Sequence, residues 1–422
     1  MIVLRMLAGC RMTWPPPKSF ETAALWMLVA AAFSLTLPTA WISVFLILYC
    51  VFWALSGRFR RKWARVRANP AALAALALFA LYGLGALYSP VPASDALAVW
   101  GKYHKLLYIP LIVSLLDDPV WRRRAADAFF WGMLLTLGIS YLKWLGWYPH
   151  QDIGEGYFVF KGRIAHNIFM AFTVYLALER AYQDRPRRWL WTGIALLAAA
   201  NVVFLVNSRT GQLLLPCLLM LFAWTHGRWR AALGAAAGGG VVVLVAIFVL
   251  PTEVNDSSQA RIFQIHQEIQ NHQPQGSEQT SAGQRLEFYR NTLALIRERP
   301  GFGWGAGSFQ SVYAAYAHQQ GFVLTQVANP HNEYLLTLQQ LGLTGLAVLL
   351  FMGWRHWWAA GELDAGDGDR LRALIVLIGI GALFNSLLLD ANEGKLYCLM
   401  AGIYLSGWVA PGARGSIAHA AR

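Results

Sequence analysis

The chain has 422 residues, 57% of them hydrophobic and only 14% charged, with a mean hydropathy of +0.41. Soluble domains carry about 25% charged residues and seldom repeat apolar runs near 20 residues, so this composition excludes a soluble enzyme and points to a polytopic membrane protein. The net charge of +13 does not imply a nucleic-acid partner, because the basic residues fall in short connectors between apolar runs, as orientation in a bilayer requires.

In chain order the apolar runs predict about twelve transmembrane helices, near 22–37, 39–56, 71–88, 106–116, 125–147, 167–183, 189–207, 212–226, 231–250, 334–354, 371–390 and 395–411. Pro38 leaves the first pair open to a second reading as a broken or re-entrant hairpin, and the short run at 106–116 is open to extension back through 98–105. Residues 1–20 include Pro15-Pro16-Pro17 and no long apolar stretch before a small-residue site, so no cleavable signal peptide is expected. Cys10, Cys50, Cys217 and Cys398 lie in or near apolar segments, which leaves the long polar insert without a disulfide framework.

Orientation follows from lysine and arginine. With the N-terminus inside, the inner connectors hold twenty-three of them, whereas the short outer connectors hold six: Lys102, Lys105, Lys161, Arg163, Arg209 and Lys395. Both termini are therefore expected in the cytoplasm. The chain divides into helices one to nine over 1–250, a periplasmic loop domain over 251–333, and helices ten to twelve with a cytoplasmic tail over 334–422. The expected fold class is an all-α integral membrane protein with a large, partly helical outer loop. No ATP is present outside a cytoplasmic membrane, so chemistry there has to draw on an activated substrate.

Within the loop, Leu286, Tyr289, Leu293 and Ile296 recur at helical spacing, predicting a helix over 284–299 that Pro300 ends, and a second helix is expected over 308–318. Both are expected to lie across the membrane face as a lid. The run Gly301-Phe-Gly-Trp-Gly-Ala-Gly307 superficially resembles a dinucleotide fingerprint but follows a helix rather than a strand, so that reading is rejected. Backbone approach to a substrate, a lid hinge and a plain turn remain open for it. Asp367-Gly368-Asp369, which mimics an acidic metal motif, falls in an inner connector and reads as solvated.

His331 is the first candidate for chemistry. Asn329 is a good N-cap and Pro330 suits the first helical position, which would put His331 in the first turn of the next helix. The positive end of the helix dipole disfavours imidazolium, so a neutral ring there is available as a general base; an interfacial histidine making capping bonds is the alternative. Arg209 lies in a very short outer turn, where a lone cation is costly unless it is paired or faces an anion; snorkelling to headgroups is the bland reading. Arg163 is similarly placed. Arg285 and Arg290 lie on the loop helix, five residues apart, and either is open to being an ordinary solvated charge. Guanidinium suits phosphate because its fork binds two oxygens at once. Asp390, at the outer end of a helix, is read as orienting a base or an arginine, or as snorkelling or paired. No outer His/Asp/Glu cluster has metal-ligand spacing, which favours chemistry without a metal or cofactor.

About twelve helices, one large outer loop late in the chain, an arginine-bearing helix, Pro300-Gly-Phe-Gly-Trp-Gly305 and His331-Asn-Glu-Tyr334 together resemble the O-antigen ligase family, over roughly 20–410. That superfamily also contains O-antigen polymerases and protein O-oligosaccharyltransferases; a single large outer loop favours the ligase. The resemblance implies a GT-C-like glycosyltransferase of the bacterial inner membrane, with its active site facing the periplasm. It would transfer a glycan from undecaprenyl diphosphate to a sugar hydroxyl of lipid A–core, among membrane lipids and with no nucleic acid. The family's base maps onto His331 and its diphosphate-binding arginines onto Arg209 and Arg285, less securely onto Arg163 and Arg290; Asn329, Tyr334 and Asp390 complete the expected substrate-binding set. Transfer by single displacement with inversion is expected. A flippase for lipid-linked oligosaccharide is the rival from another class, disfavoured because the arginines cluster at the outer face rather than the midplane.

Overall fold

The computed structural model describes residues 17–149, 156–206, 208–227, 281–322 and 326–408, and their regular structure is helical apart from one isolated bridge between Gly156 and Val206. Helices α1 (Pro17–Ser34) and α2 (Thr39–Leu55) pack on one another across the Pro38 turn. Gly57 and Arg58, both with left-handed backbone, then bend the chain by 114° into the short α3 (Phe59–Arg67). Asn69 starts α4 (Pro70–Leu87) by accepting the Ala72 N–H, with Pro70 in the first helical position where no donor is missed. The expected run at 106–116 is instead α5 (Ala93–Lys102), a tight turn at Tyr103–Leu107 and α6 (Tyr108–Leu115).

Helices α7 (Pro119–Trp144) and α8 (Arg163–Gln183) follow, then α9 (Arg188–Ala200), whose last turn widens at Asn201–Leu205, and α10 (Arg209–Thr225). The loop supplies α11 (Ser281–Glu298) and α12 (Phe309–Gln319); α13 (Glu333–Glu362), α14 (Ala365–Gly381) and α15 (Ala391–Leu405) close the described chain. Four described stretches are long and apolar enough to cross a membrane: Pro70–Leu87, Pro119–Trp144, Arg185–Leu205 and Glu333–Glu362, with the bent pair α2–α3 a fifth. The other described helices are too short or not apolar enough to qualify alone; α15 has 15 residues. The expected span at 231–250 and the loop's first part, 251–280, lie outside the described residues.

The core gathers round α15, which is buried from Glu393 to Leu405 and packs on α6 and α14. Around it the Asp367 segment departs from its expected solvated state. Asp367 is buried and accepts from Arg122 at 2.6 Å, Arg370 approaches it at 3.6 Å, and Arg370 also reaches buried Glu179 at 2.7 Å. These pairs tie α7, α8 and α14 together; Asp367 neutralises Arg122 of a neighbouring helix, and Asp369 pairs with Arg372 of its own helix at 3.0 Å.

The glycine run has a structural task. Helix α13 breaks at Gly342, whose φ of 63° only glycine adopts readily. The run inserts beside this break: Trp304 and Gly305 donate to the Gln339 and Gln340 carbonyls at 2.9 and 2.8 Å, and Leu343 donates to Pro300 at 2.8 Å. A side chain at Gly342 would meet the Gly301 carbonyl oxygen at 2.3 Å, so the two backbones are in contact and the run cradles protein, not substrate. The amides of Gly303, Trp304, Gly305, Ala306 and Gly307 all donate to protein acceptors. Helices α11 and α12 form a small separate cluster with the start of α13, through Phe288, Leu295, Phe309, Tyr313 and Leu336.

The apolar stripe that marks α11 in the sequence does not form its buried side. Leu286 and Leu293 are 51% and 43% exposed, whereas Phe288, Asn291, Thr292 and Leu295 are buried. Phe288 and Leu295 anchor the buried side, and Asn291 can join them because its amide donates to the Tyr313 hydroxyl at 3.1 Å.

Candidate active site

The segment before α13 is built by three asparagine-centred contacts. Asn332, not Asn329, is the N-cap: its backbone is extended and its side-chain oxygen accepts the Leu335 N–H at 3.0 Å. His331 has a left-handed backbone, φ 52°, which cannot belong to a right-handed helix, so it precedes α13 instead of lying in its first turn. Asn329 closes the turn by accepting the His331 N–H at 2.9 Å, and the same oxygen accepts the Ser386 hydroxyl at 3.0 Å.

The His331 ring lies nearly parallel to Phe288 of α11, with centroids 6.2 Å apart. Burial, followed by the neighbouring Arg285 charge, pushes its pKa below the ordinary 6.5. The ring is therefore neutral near pH 7, by desolvation and a nearby cation more than by the helix position that the sequence suggested.

Arg285 is half-buried, one helical turn before Tyr289. Burial lowers its pKa first; Tyr289 raises it, and the approach of Arg209 lowers it again. Arg209 is the exposed first residue of α10, at the positive end of that helix's dipole. Among the described residues neither guanidinium has a carboxylate in ion-pair contact. Two uncompensated arginines beside a helix N-terminus make a strongly positive spot that an anion would relieve.

Local packing explains Arg209's position. The Asn167 side chain donates to the Val202 and Val206 carbonyls at 3.2 and 3.0 Å, tying α8 to the turn that opens α10. Gly211 permits this, since a β-carbon there would stand 2.4 Å from that of Asn167. From the far side, Asn385 donates to the Thr210 hydroxyl at 3.1 Å.

Residues 382–390, between α14 and α15, join these parts. The Leu383 carbonyl accepts from Tyr289 at 2.8 Å and from Asn332 at 3.0 Å. Buried Glu333 accepts from the Leu388 and Leu389 amides at 2.9 and 3.1 Å, and from the Tyr103 hydroxyl at 3.0 Å. Sequence reading passed over Glu333, Asn332, Asn385 and Ser386. Glu333 carried a signal: a carboxylate opening an apolar helix needs partners.

The structure thus brings together His331, Arg285, Arg209 and Asn329 but leaves the other candidates elsewhere. Arg290 is exposed and stands about 140° round α11 from Arg285, at 100° per residue. The Tyr334 hydroxyl donates to the Gly379 carbonyl at 2.7 Å and pins α13 to α14. Arg163 and Asp390 line a different crevice of about 380 Å³, with Phe158, Asn392 and Glu393. Burial raises the Asp390 pKa, against the lowering pull of Lys105 and Lys102. Among the described residues, no three His, Cys, Asp or Glu side chains are grouped to hold a metal ion.

Comparison with known proteins falls on the same part of the chain. Residues 194–350 match the O-antigen ligase family model. That segment is similar to the O-antigen ligase family. The matched segment contains Arg209, Arg285, Asn329 and His331, and excludes Arg163 and Asp390. One curated relative, an uncharacterized protein of Haemophilus influenzae, is 20% identical over 252 residues, or 58% of this chain. The similarity spans 62% of that relative's length. The O-antigen ligase/polymerase superfamily comprises membrane glycosyltransferase-like enzymes, in keeping with the apolar helices of this chain.

Proposed function

We propose that the protein is an O-antigen ligase of the bacterial inner membrane, acting at the periplasmic face. It transfers glycan from undecaprenyl diphosphate to a sugar hydroxyl of lipid A–core. The observation that supports this most is the meeting of Arg209, Arg285 and His331, drawn from α10, α11 and the segment before α13, at a spot rich in positive charge. His331 takes the proton from the acceptor hydroxyl as its oxygen attacks the anomeric carbon. The bond to the diphosphate oxygen breaks, and Arg209 and Arg285 stabilise the departing charge. One displacement inverts the anomeric centre. No metal is assigned a part, because the guanidiniums supply the charge stabilisation.

The test is transfer by purified protein, with lipid A–core or a second lipid-linked unit as acceptor. Lipid A–core should be glycosylated and the second unit should not; the reverse would make the protein a polymerase. His331→Ala should lower turnover by about 10²–10⁴-fold with donor still bound. Lysine should restore Arg209 and Arg285 poorly, since ammonium lacks the paired hydrogen bonds. Full activity in the alanine variants at these arginines, or activity lost to EDTA and restored by a divalent ion, would overturn the clamp.

A further inference from the structure

Helix α3 is nine residues long, about 14 Å at 1.5 Å per residue, and cannot cross a bilayer. The 114° bend before it turns its axis away from α2, and it packs on α6 through a buried side that includes Lys62, Arg65 and Val66. Several of the local cations already have protein partners. Arg58 pairs with Glu21 at 3.2 Å and Arg61 with Asp117 at 2.6 Å. Arg65 donates to the Val113 and Leu116 carbonyls at 3.0 and 3.2 Å.

Arg60 and Arg67 are different. Both are exposed, and among the described residues neither has an acceptor. With Trp63 they form one stripe at i, i+3 and i+7, and Phe59 lies a turn before Trp63. Trp63 and Phe59 are 52% and 55% exposed, an apolar cost that water does not offset. Beside this face runs a groove of about 350 Å³ walled by Trp53, Phe59, Trp63, Leu76 and Leu111, with Lys62 and Ser114 as its polar side chains. The Lys62 ammonium is held by the Trp53 carbonyl and by Ser56 Oγ at 2.7 Å, over the Trp53 ring, with no carboxylate in ion-pair contact among the described residues.

We infer that α3 and this groove form a site for one anionic glycerophospholipid, with an acyl chain in the groove and the headgroup phosphate on the Arg60–Arg67 face. Charge complementarity selects an anionic lipid. The nearby carboxylates, Glu21 and Asp117, are already paired, which leaves a face of uncompensated cations flanked by aromatic rings, as interfacial helices require. The site shares no residue with the His331 cluster.

The test uses full-length protein, delipidated in detergent and titrated with dioleoyl phosphatidylglycerol or dioleoyl phosphatidylcholine, with bound lipid counted by native mass spectrometry. Phosphatidylglycerol should be retained preferentially. Arg60→Gln and Arg67→Gln should each cut that preference about fivefold. Arg123→Gln, which removes an exposed charge outside the patch, should leave it unchanged. Trp63→Ala should weaken retention of phosphatidylglycerol. Equal retention of the two lipids, an equal loss in Arg123→Gln, or unchanged retention in Trp63→Ala would overturn the site and leave the transferase reading untouched.

Discussion

His331 illustrates how one side chain's chemistry depends on what surrounds it. Its pKa lies below 6.5, so the base form persists as pH falls and is lost only when pH drops through the lowered value. The acid limb of kcat/KM for glycan transfer should therefore lie below pH 6.5. Arg285→Gln removes the repelling charge, so the limb of its residual activity should move upward, though burial keeps it below 6.5. A wild-type limb at or above that pH, or one that ignores the substitution, would remove His331 as the titrating base.

At the scale of elements, the break in α13 and the glycine run are one unit. Gly342→Ala would place a methyl group 2.3 Å from the Gly301 oxygen and strain a left-handed residue, so a loss of about 1–3 kcal/mol in detergent unfolding is expected. Helix α11 offers a sharper contrast. Phe288→Ala empties a buried site and should destabilise by about 3–5 kcal/mol. Leu293→Ala, on the exposed side, should stay within about 0.5 kcal/mol. A larger loss at Leu293 than at Phe288 would mean that the stripe of Leu286 and Leu293, not the observed face, is the buried one.

At the scale of the whole molecule, the proposed reaction requires the cluster to face the periplasm. The bias of lysine and arginine predicts that the loop lies outside and Gly57 inside. On intact spheroplasts, a membrane-impermeant reagent should label a single cysteine at Gln275 and spare one at Gly57. The opposite pattern would place the cluster in the cytoplasm and remove the periplasmic reaction.

The helical character of the chain was legible in its sequence because it depends on local chemistry. Apolar runs, prolines at helix starts and the ends of α11 and α12 require only neighbours in sequence, and so does the likeness carried by His331 and the arginines. Tertiary structure decided the rest. The left-handed backbone of His331, the outward turn of Leu286 and Leu293, and the burial of Asp367 depend on partners far away in the chain. Asn329, Asn332 and Tyr289 are held by the 382–390 segment, and Arg209 is placed by Asn167 and Asn385. A periodic pattern can state that a helix has an apolar face. Which face is buried is decided by the groups it meets, because a buried amide or carboxylate is tolerated wherever a partner from another helix completes its hydrogen bonds.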